Sequence, residues 1–265
     1  MQLNTQNSIM IVIIAAKELK TLFASPLAWV VLTMMQLIVG YAFLRRLDDF
    51  LQLQPQLAQM GSAPGVTDLV AGPVFGTAAA VLLFAVPVLA MRLVAEERRN
   101  QTMVLLMSAP VSMTEIVLGK FLGLAAFLAG IVALTALMPL SLAGMARLDY
   151  GMLAGLAAGL VLLAAAFAAV SLFVSCLTVH PVVAAIGAFA TLLGMVLAGE
   201  AAGDGLRARG WTVAASLTQV FSPIKSFEPF GKGLFDSYAA ACLALLTAFC
   251  LALAIRQLDA QRLRG

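Results

Sequence analysis

Few side chains in this 265-residue chain are equipped for chemistry. There is one histidine, His180, and there are three cysteines, Cys176, Cys242 and Cys250. A single imidazole cannot assemble a multi-histidine metal site, and each cysteine lies inside an apolar run with no spacing that suits zinc or a disulfide framework. The cysteines read as small buried hydrophobes, and His180, in Thr178-Val179-His180-Pro181, reads as a loop residue rather than a catalytic base. No Gly-x-x-x-x-Gly-Lys-Ser/Thr phosphate loop occurs, so the chain cannot bind ATP by that route. Neither paired carboxylates, a Ser/His pair nor zinc ligands fall at depths compatible with an intramembrane enzyme.

Charge is concentrated instead at Glu96-Glu97-Arg98-Arg99. Beyond it, Thr102 to Met107 is short and mostly apolar, Pro110 stops it, and Ser112 or Thr114 can cap the helix that follows. Such a segment suits a position flat on a membrane face, with a charged knuckle and an apolar edge turned toward a partner protein. A solvated connector with an ordinary amphipathic turn fits the same composition.

The elements that must hold this segment follow from composition. Sixteen Lys and Arg and 13 Asp and Glu make only 11% of the residues charged, whereas 62% are hydrophobic and the mean hydropathy is +1.02. That leaves too little polar surface to cover a water-soluble particle of one domain, so the chain reads as an all-α integral membrane protein. The net charge of +3 is small and forms no basic stripe, which argues against a nucleic-acid partner.

A crossing helix needs about 20 apolar residues. Charge-free runs at Leu27–Leu44, Val70–Met91 (with Pro73 and Pro87 as kinks) and Phe121–Ala146 (interrupted by Pro139) supply three, and Ser237–Ile255 supplies the last. Between them Tyr150–Gly199 holds no Asp, Glu, Lys or Arg and is roughly 75 Å long as one helix, so it must turn back at Thr178–Pro181. With flanking turns the six spans are 27–44, 70–94, 117–146, 150–178, 181–199 and 237–255, inside a membrane domain of residues 26–265 with a connecting segment at 95–112 and an outer loop at 200–236. Residues 1–25 form an amino-terminal segment in which Ile9, Val12, Ile13, Ala16, Leu19 and Phe23 recur at helical spacing beside Lys17, Glu18 and Lys20. This is an amphipathic interfacial helix lying in the headgroups, and its short apolar stretch followed at once by Lys17-Glu18 argues against a cleaved signal. Six spans put both termini on one side, and a cytoplasmic amino terminus leaves slightly more Lys and Arg inside.

The apolar runs themselves carry no ionisable side chain, only hydroxyls and amides such as Thr33, Gln36, Thr135, Ser171 and Ser175, which suit interhelical hydrogen bonds better than a proton relay. A secondary carrier or channel is therefore disfavoured, and the driving energy of any transport must enter elsewhere. Gly151-x-x-x-Gly155-x-x-x-Gly159 places three glycines on one face, where a neighbouring helix of the same chain or of a second copy can approach closely.

Glu96-Glu97-Arg98-Arg99, Thr102-Met-Val-Leu-Leu-Met-Ser-Ala-Pro110 and Ile116-Val-Leu-Gly-Lys-Phe-Leu122 together resemble the signature of type-two ABC-transporter permeases, nearest to the gliding-motility-associated branch. Asp149-Tyr-Gly151, Ser175-Cys-Leu-Thr178 and Ser226-Phe-Glu-Pro-Phe-Gly-Lys-Gly233 agree, so the resemblance covers nearly the whole chain. It implies a six-helix exporter permease fold preceded by an elbow helix, in the bacterial cytoplasmic membrane. It implies that ATP and Mg are held by a separate ABC ATPase, present in two copies, and that this chain binds no cofactor. It further implies a second permease copy or paralogue and a membrane-anchored partner with an external domain. The coupling role falls by resemblance on Glu96, Glu97, Arg98, Arg99 and Thr102, with Gln101 standing where a glycine is common and Val104 where a glutamate is common. The outer loop matches re-entrant helices, with Trp211, Phe221, Phe227, Phe230 and Phe235 as interfacial anchors and Pro223 and Pro229 as breakers. A non-transporting membrane scaffold of an ATPase-driven envelope apparatus is the rival reading.

Overall fold

The computed structural model describes residues 2–57, 65–101, 112–144, 146, 148–208, 222–231, 233 and 236–262, with side chains at all of these except 2–8, 56–57 and 202–208. Every regular element among the described residues is helical. The longer helices are α1 (Gln2–Ala24), α2 (Pro26–Leu57), α3 (Gly72–Ala90), α4 (Met113–Leu140), α5 (Tyr150–Leu177), α6 (Pro181–Ala208), α7 (Pro223–Gly231) and α8 (Ser237–Arg262). Short π-helical turns at Thr67–Ala71 and Arg92–Glu96, and a last turn at Glu97–Arg99, lengthen α3 into one rod. That rod, α2, α4, α5, α6 and α8 are each long and apolar enough to cross a bilayer, so the protein is a six-span membrane bundle preceded by a further helix.

Local sequence explains most boundaries. Ser112 accepts from the Glu115 amide (3.2 Å) while Glu115 accepts from the Ser112 amide (2.9 Å), a reciprocal capping box that starts α4. Asp149 caps α5 by accepting from the Met152 amide at 3.0 Å. The turn between α5 and α6 falls where Pro181 forbids continuation, with Thr178 already extended. Pro73 falls within the rod, just after the π turn Thr67–Ala71, and Pro87 lies inside α3. Charge-free runs also underestimate several helices. α2 continues past Leu44 through Arg45 and Arg46 to Leu57, and α6 continues past Gly199 to Ala208, because a helix need not stop where the hydrocarbon does.

α5 is the axis of the bundle. It is buried over 67% of its most apolar stretch and the α3 rod over 61%, against 17% for α2, so α5 and α3 form the core and α2 stands outside. Leu156, Leu160, Leu163, Phe167 and Leu172 of α5 are fully enclosed, with α3, α4, α6, α7 and α8 around them. On α2, Val30, Met34, Leu37, Tyr41 and Leu44 all face outward, so one apolar side of this span is left uncovered by the rest of the chain.

Among the described residues, a Cβ at Gly159 of α5 would lie 2.6 Å from Phe230 Cγ, whereas one at Gly155 would meet nothing within 4 Å and one at Gly151 its own capping Asp149 at 3.2 Å. The contact is with an aromatic ring on α7, not with another backbone. Phe227 and Phe230 are accordingly not interfacial anchors, being 5% and 0% exposed. Residues three apart share one face of a helix, and on α7 that face turns inward onto α5. Trp211, Phe221 and Phe235 lie outside the described residues.

Candidate functional site

Helix α1 does not float in the headgroups apart from the bundle. Its strongest contact is α4, through Gly119 and Gly123. A Cβ at Gly119 would sit 2.6 Å from Ile14 Cβ, and one at Gly123 would sit 2.7 Å from Glu18 Cβ and 2.9 Å from the Ala15 carbonyl. At this Gly-x-x-x-Gly pair α1 and α4 touch backbone to side-chain root, as α5 and α7 do where a Cβ at Gly159 would lie 2.7 Å from Phe230 Cβ. α1 thus has two apolar faces: Ile14, Leu19 and Leu22 pack on the bundle, while Ile9, Val12, Ile13 and Phe23 remain exposed.

Between the two glycines Lys120 points into the junction and is 1% exposed. Its ammonium donates to Glu18 Oε1 of α1 at 2.9 Å and lies 2.7 Å from Glu97 Oε1, in the last turn of the α3 rod. Lys17 stands 3.8 Å from Glu18 and 3.7 Å from Glu97, with its side chain 60% exposed. Two cations and two carboxylates make the group neutral, which is how charges are tolerated at such burial. The apolar runs carry no ionisable group, yet Lys120, one position before Phe121, is enclosed well inside the α4 helix. Glu18 likewise lies on the protein face of α1, not in its headgroup sector, because the close approach at Gly123 draws that face onto α4.

The rod itself is irregular just before Glu97. Ser175 Oγ accepts from the Ala95 amide (3.2 Å) and donates to the Met91 carbonyl (3.4 Å). Those are the two groups that would bond each other in a regular α-helix. The hydroxyl from α5 therefore stands in the ladder, and the backbone around it widens into the π turn Arg92–Glu96.

The remaining charges are also tied within the chain. Arg92 donates to both oxygens of Glu96 (2.5 and 3.2 Å) and to Ser25 Oγ (2.5 Å), which links the α1–α2 corner to the rod. Arg98 donates to Gln261, near the end of α8. Arg99 and Asn100 are exposed. A cleft of about 190 Å³ opens between α1 and the rod, lined by Lys17, Thr21, Ser25, Arg92, Glu96 and Asn100 among others. Sequence reasoning thus selected Glu96, Glu97, Arg98 and Arg99 as a knuckle presented to a partner. The structure brings them together at one end of the bundle but uses three of the four as internal braces. Thr102 lies outside the described residues. Lys120, Glu18 and Ser175 were missed as members of this site; the signal for Lys120 was its position between two glycines four apart.

Gln101 adopts φ +57°, the left-handed conformation that favours glycine at a helix end. This explains why a glycine suits the position. Gln101→Gly is expected to raise stability by about 1 kcal/mol, read as a higher midpoint of thermal unfolding in detergent; an unchanged or lower midpoint would show that the strain is relieved elsewhere.

No curated protein matches the chain. A family model does, over residues 12–231, which runs from α1 through the charged junction to the end of α7. Both the sequence match and the six-span bundle with its preceding helix lead to the same assignment, and the chain belongs to the ABC-2 family of transporter proteins.

Proposed function

We propose that the chain is the transmembrane permease subunit of an export-type ABC transporter, driven by a separate ABC ATPase. Family membership over residues 12–231 carries this reading, because permeases of this kind work with such an ATPase. The charged end of the bundle supports the location of coupling. There α1, the end of the α3 rod, the start of α4 and the end of α8 converge, so a push at one point reaches four elements. In this reading that end faces the cytoplasm, with both termini, in the bacterial inner membrane. Two ATPase subunits dock there and two permease copies, or this chain and a paralogue, enclose the path between them. Closing of the nucleotide sandwich favours one arrangement of the helices and hydrolysis releases it.

Given the internal ties of Glu96, Glu97 and Arg98, docking falls chiefly to the exposed Arg99 and to the chain that follows, including Thr102, with the other three holding its base. The gliding-motility branch, with a membrane-anchored partner bearing an external domain, is the part of the reading that rests on sequence resemblance alone. The test is purification of the tagged chain from its own cells in mild detergent. A protein carrying a phosphate-loop motif should travel with it and hydrolyse ATP, and Arg99→Glu should cut that recovery about tenfold, the effect of roughly 1.4 kcal/mol. A chain that purifies with no nucleotide-binding protein would overturn the proposal.

A further inference from the structure

We propose that Lys120 is the positioning residue of the charged junction: its ion pair with Glu97 tethers the last turn of the α3 rod to α1 and α4, across a joint that Ser175 has loosened. Three observations carry this. Lys120 is almost fully enclosed and reaches carboxylates on two different elements, at 2.9 and 2.7 Å. α1 and α4 are locked to each other by the glycine contacts at 119 and 123, so they form one body. On the other side, the Glu97–Arg99 turn hangs from α3 through the π turn, where the bond between Met91 and Ala95 is replaced by two bonds to a hydroxyl of α5.

A helix interrupted in this way bends more readily at the interruption than along its regular turns. The end of the rod is therefore set by what holds it from outside: among the described residues, the buried Lys120–Glu97 ion pair ties it to α4 and the Arg98–Gln261 bond ties it to α8. Lys17 sits within 4 Å of both carboxylates on a mostly exposed side chain. It supplies a second cation that can follow Glu97 if the turn is displaced, so the tether can slide without leaving a bare buried charge. A displacement of the turn then pulls on Lys120 and moves α4 and α1 together as that one body. The proposal rests on the coupling reading only for where the force originates; the tether is a property of this chain.

The experiment uses the full-length chain in lipid nanodiscs, with spin labels at Lys20→Cys on α1 and Asn100→Cys at the end of the rod. Both positions are exposed, and the three native cysteines are buried. The parent should give one narrow distance distribution. Glu97→Gln leaves Lys120 paired with Glu18 and so keeps the fold, yet it should lose the single peak. Lys120→Met should do the same and Lys120→Arg should restore it, while Ser175→Ala, which lets the helix close its own ladder, should narrow the distribution in the Glu97→Gln background. If Glu97→Gln keeps the parental distribution, or Lys120→Met lowers the melting temperature without changing it, the ion pair is only a source of stability and the proposal fails. Because no ATPase is present, a negative result here leaves the copurification test standing, and failure of copurification leaves this one standing.

Discussion

Lys120→Met will destabilise the solubilised chain by about 3–5 kcal/mol, the range for removing one partner of a buried ion pair. The reason is what remains behind. Glu18 and Glu97 both approach the site of the lost ammonium, at 2.9 and 2.7 Å, and Lys17, the second cation beside both of them, is largely exposed. The sign of the effect depends on leaving carboxylates unpaired, not on losing lysine packing, since methionine fills much of the same volume. The combined variant Lys120→Met, Glu18→Gln and Glu97→Gln should therefore recover most of the loss, because replacing a whole buried ionic group is often close to neutral. Thermal or denaturant unfolding of the three forms in one detergent measures this as a coupling between neighbouring sites. A single variant as stable as the parent would mean that water reaches the junction and solvates the carboxylates.

Gly119→Leu with Gly123→Leu will detach α1 from α4. Each Cβ would fall inside contact distance of atoms that cannot move independently: Ile14 Cβ at 2.6 Å for the first, Glu18 Cβ at 2.7 Å and the Ala15 carbonyl at 2.9 Å for the second. Overpacking costs about 1–3 kcal/mol at each position, and the cheapest relief is for α1 to lift away, since its other face is unpacked. Proteolysis within α1 should become rapid while the six spans stay protected. The matched changes Gly151→Leu and Gly155→Leu should leave α1 protected, because among the described residues of the chain nothing outside their own helix end lies against them. Protection of α1 in the first variant, or damage from the second, would reverse the assignment of the two glycine motifs.

The contrast between those motifs shows where sequence stops. Gly151, Gly155 and Gly159 and the pair Gly119 and Gly123 look alike as patterns, and α5 has the longer one. Which pattern carries a close contact depends on what the rest of the chain lays beside it, and that is not written in either segment. Phe227 and Phe230 make the same point. Aromatic residues three apart fit a membrane interface or an inward helix face equally well, and the partner, Gly159, is some seventy residues away along the chain. The charge cluster Glu96–Arg99 was legible as a site because four charges stand out in an apolar chain. Its internal pairing was not, since Glu18, Lys120 and Gln261 are remote in sequence.

By itself the sequence determined the membrane class, the six crossings, the preceding amphipathic helix, the hairpin at His180-Pro181 and a helix start capped by Ser112 or Thr114, of which the structure uses Ser112. All of these follow from local rules: the apolar length needed to cross hydrocarbon, the geometry of proline, and orphan amides at helix starts. The tertiary structure alone decided which helix became the axis, which glycines are in contact, and that Lys120 is buried with carboxylates from two other elements. Burial of a charge depends on partners converging from distant positions in the chain, and that convergence exists only once the helices have packed.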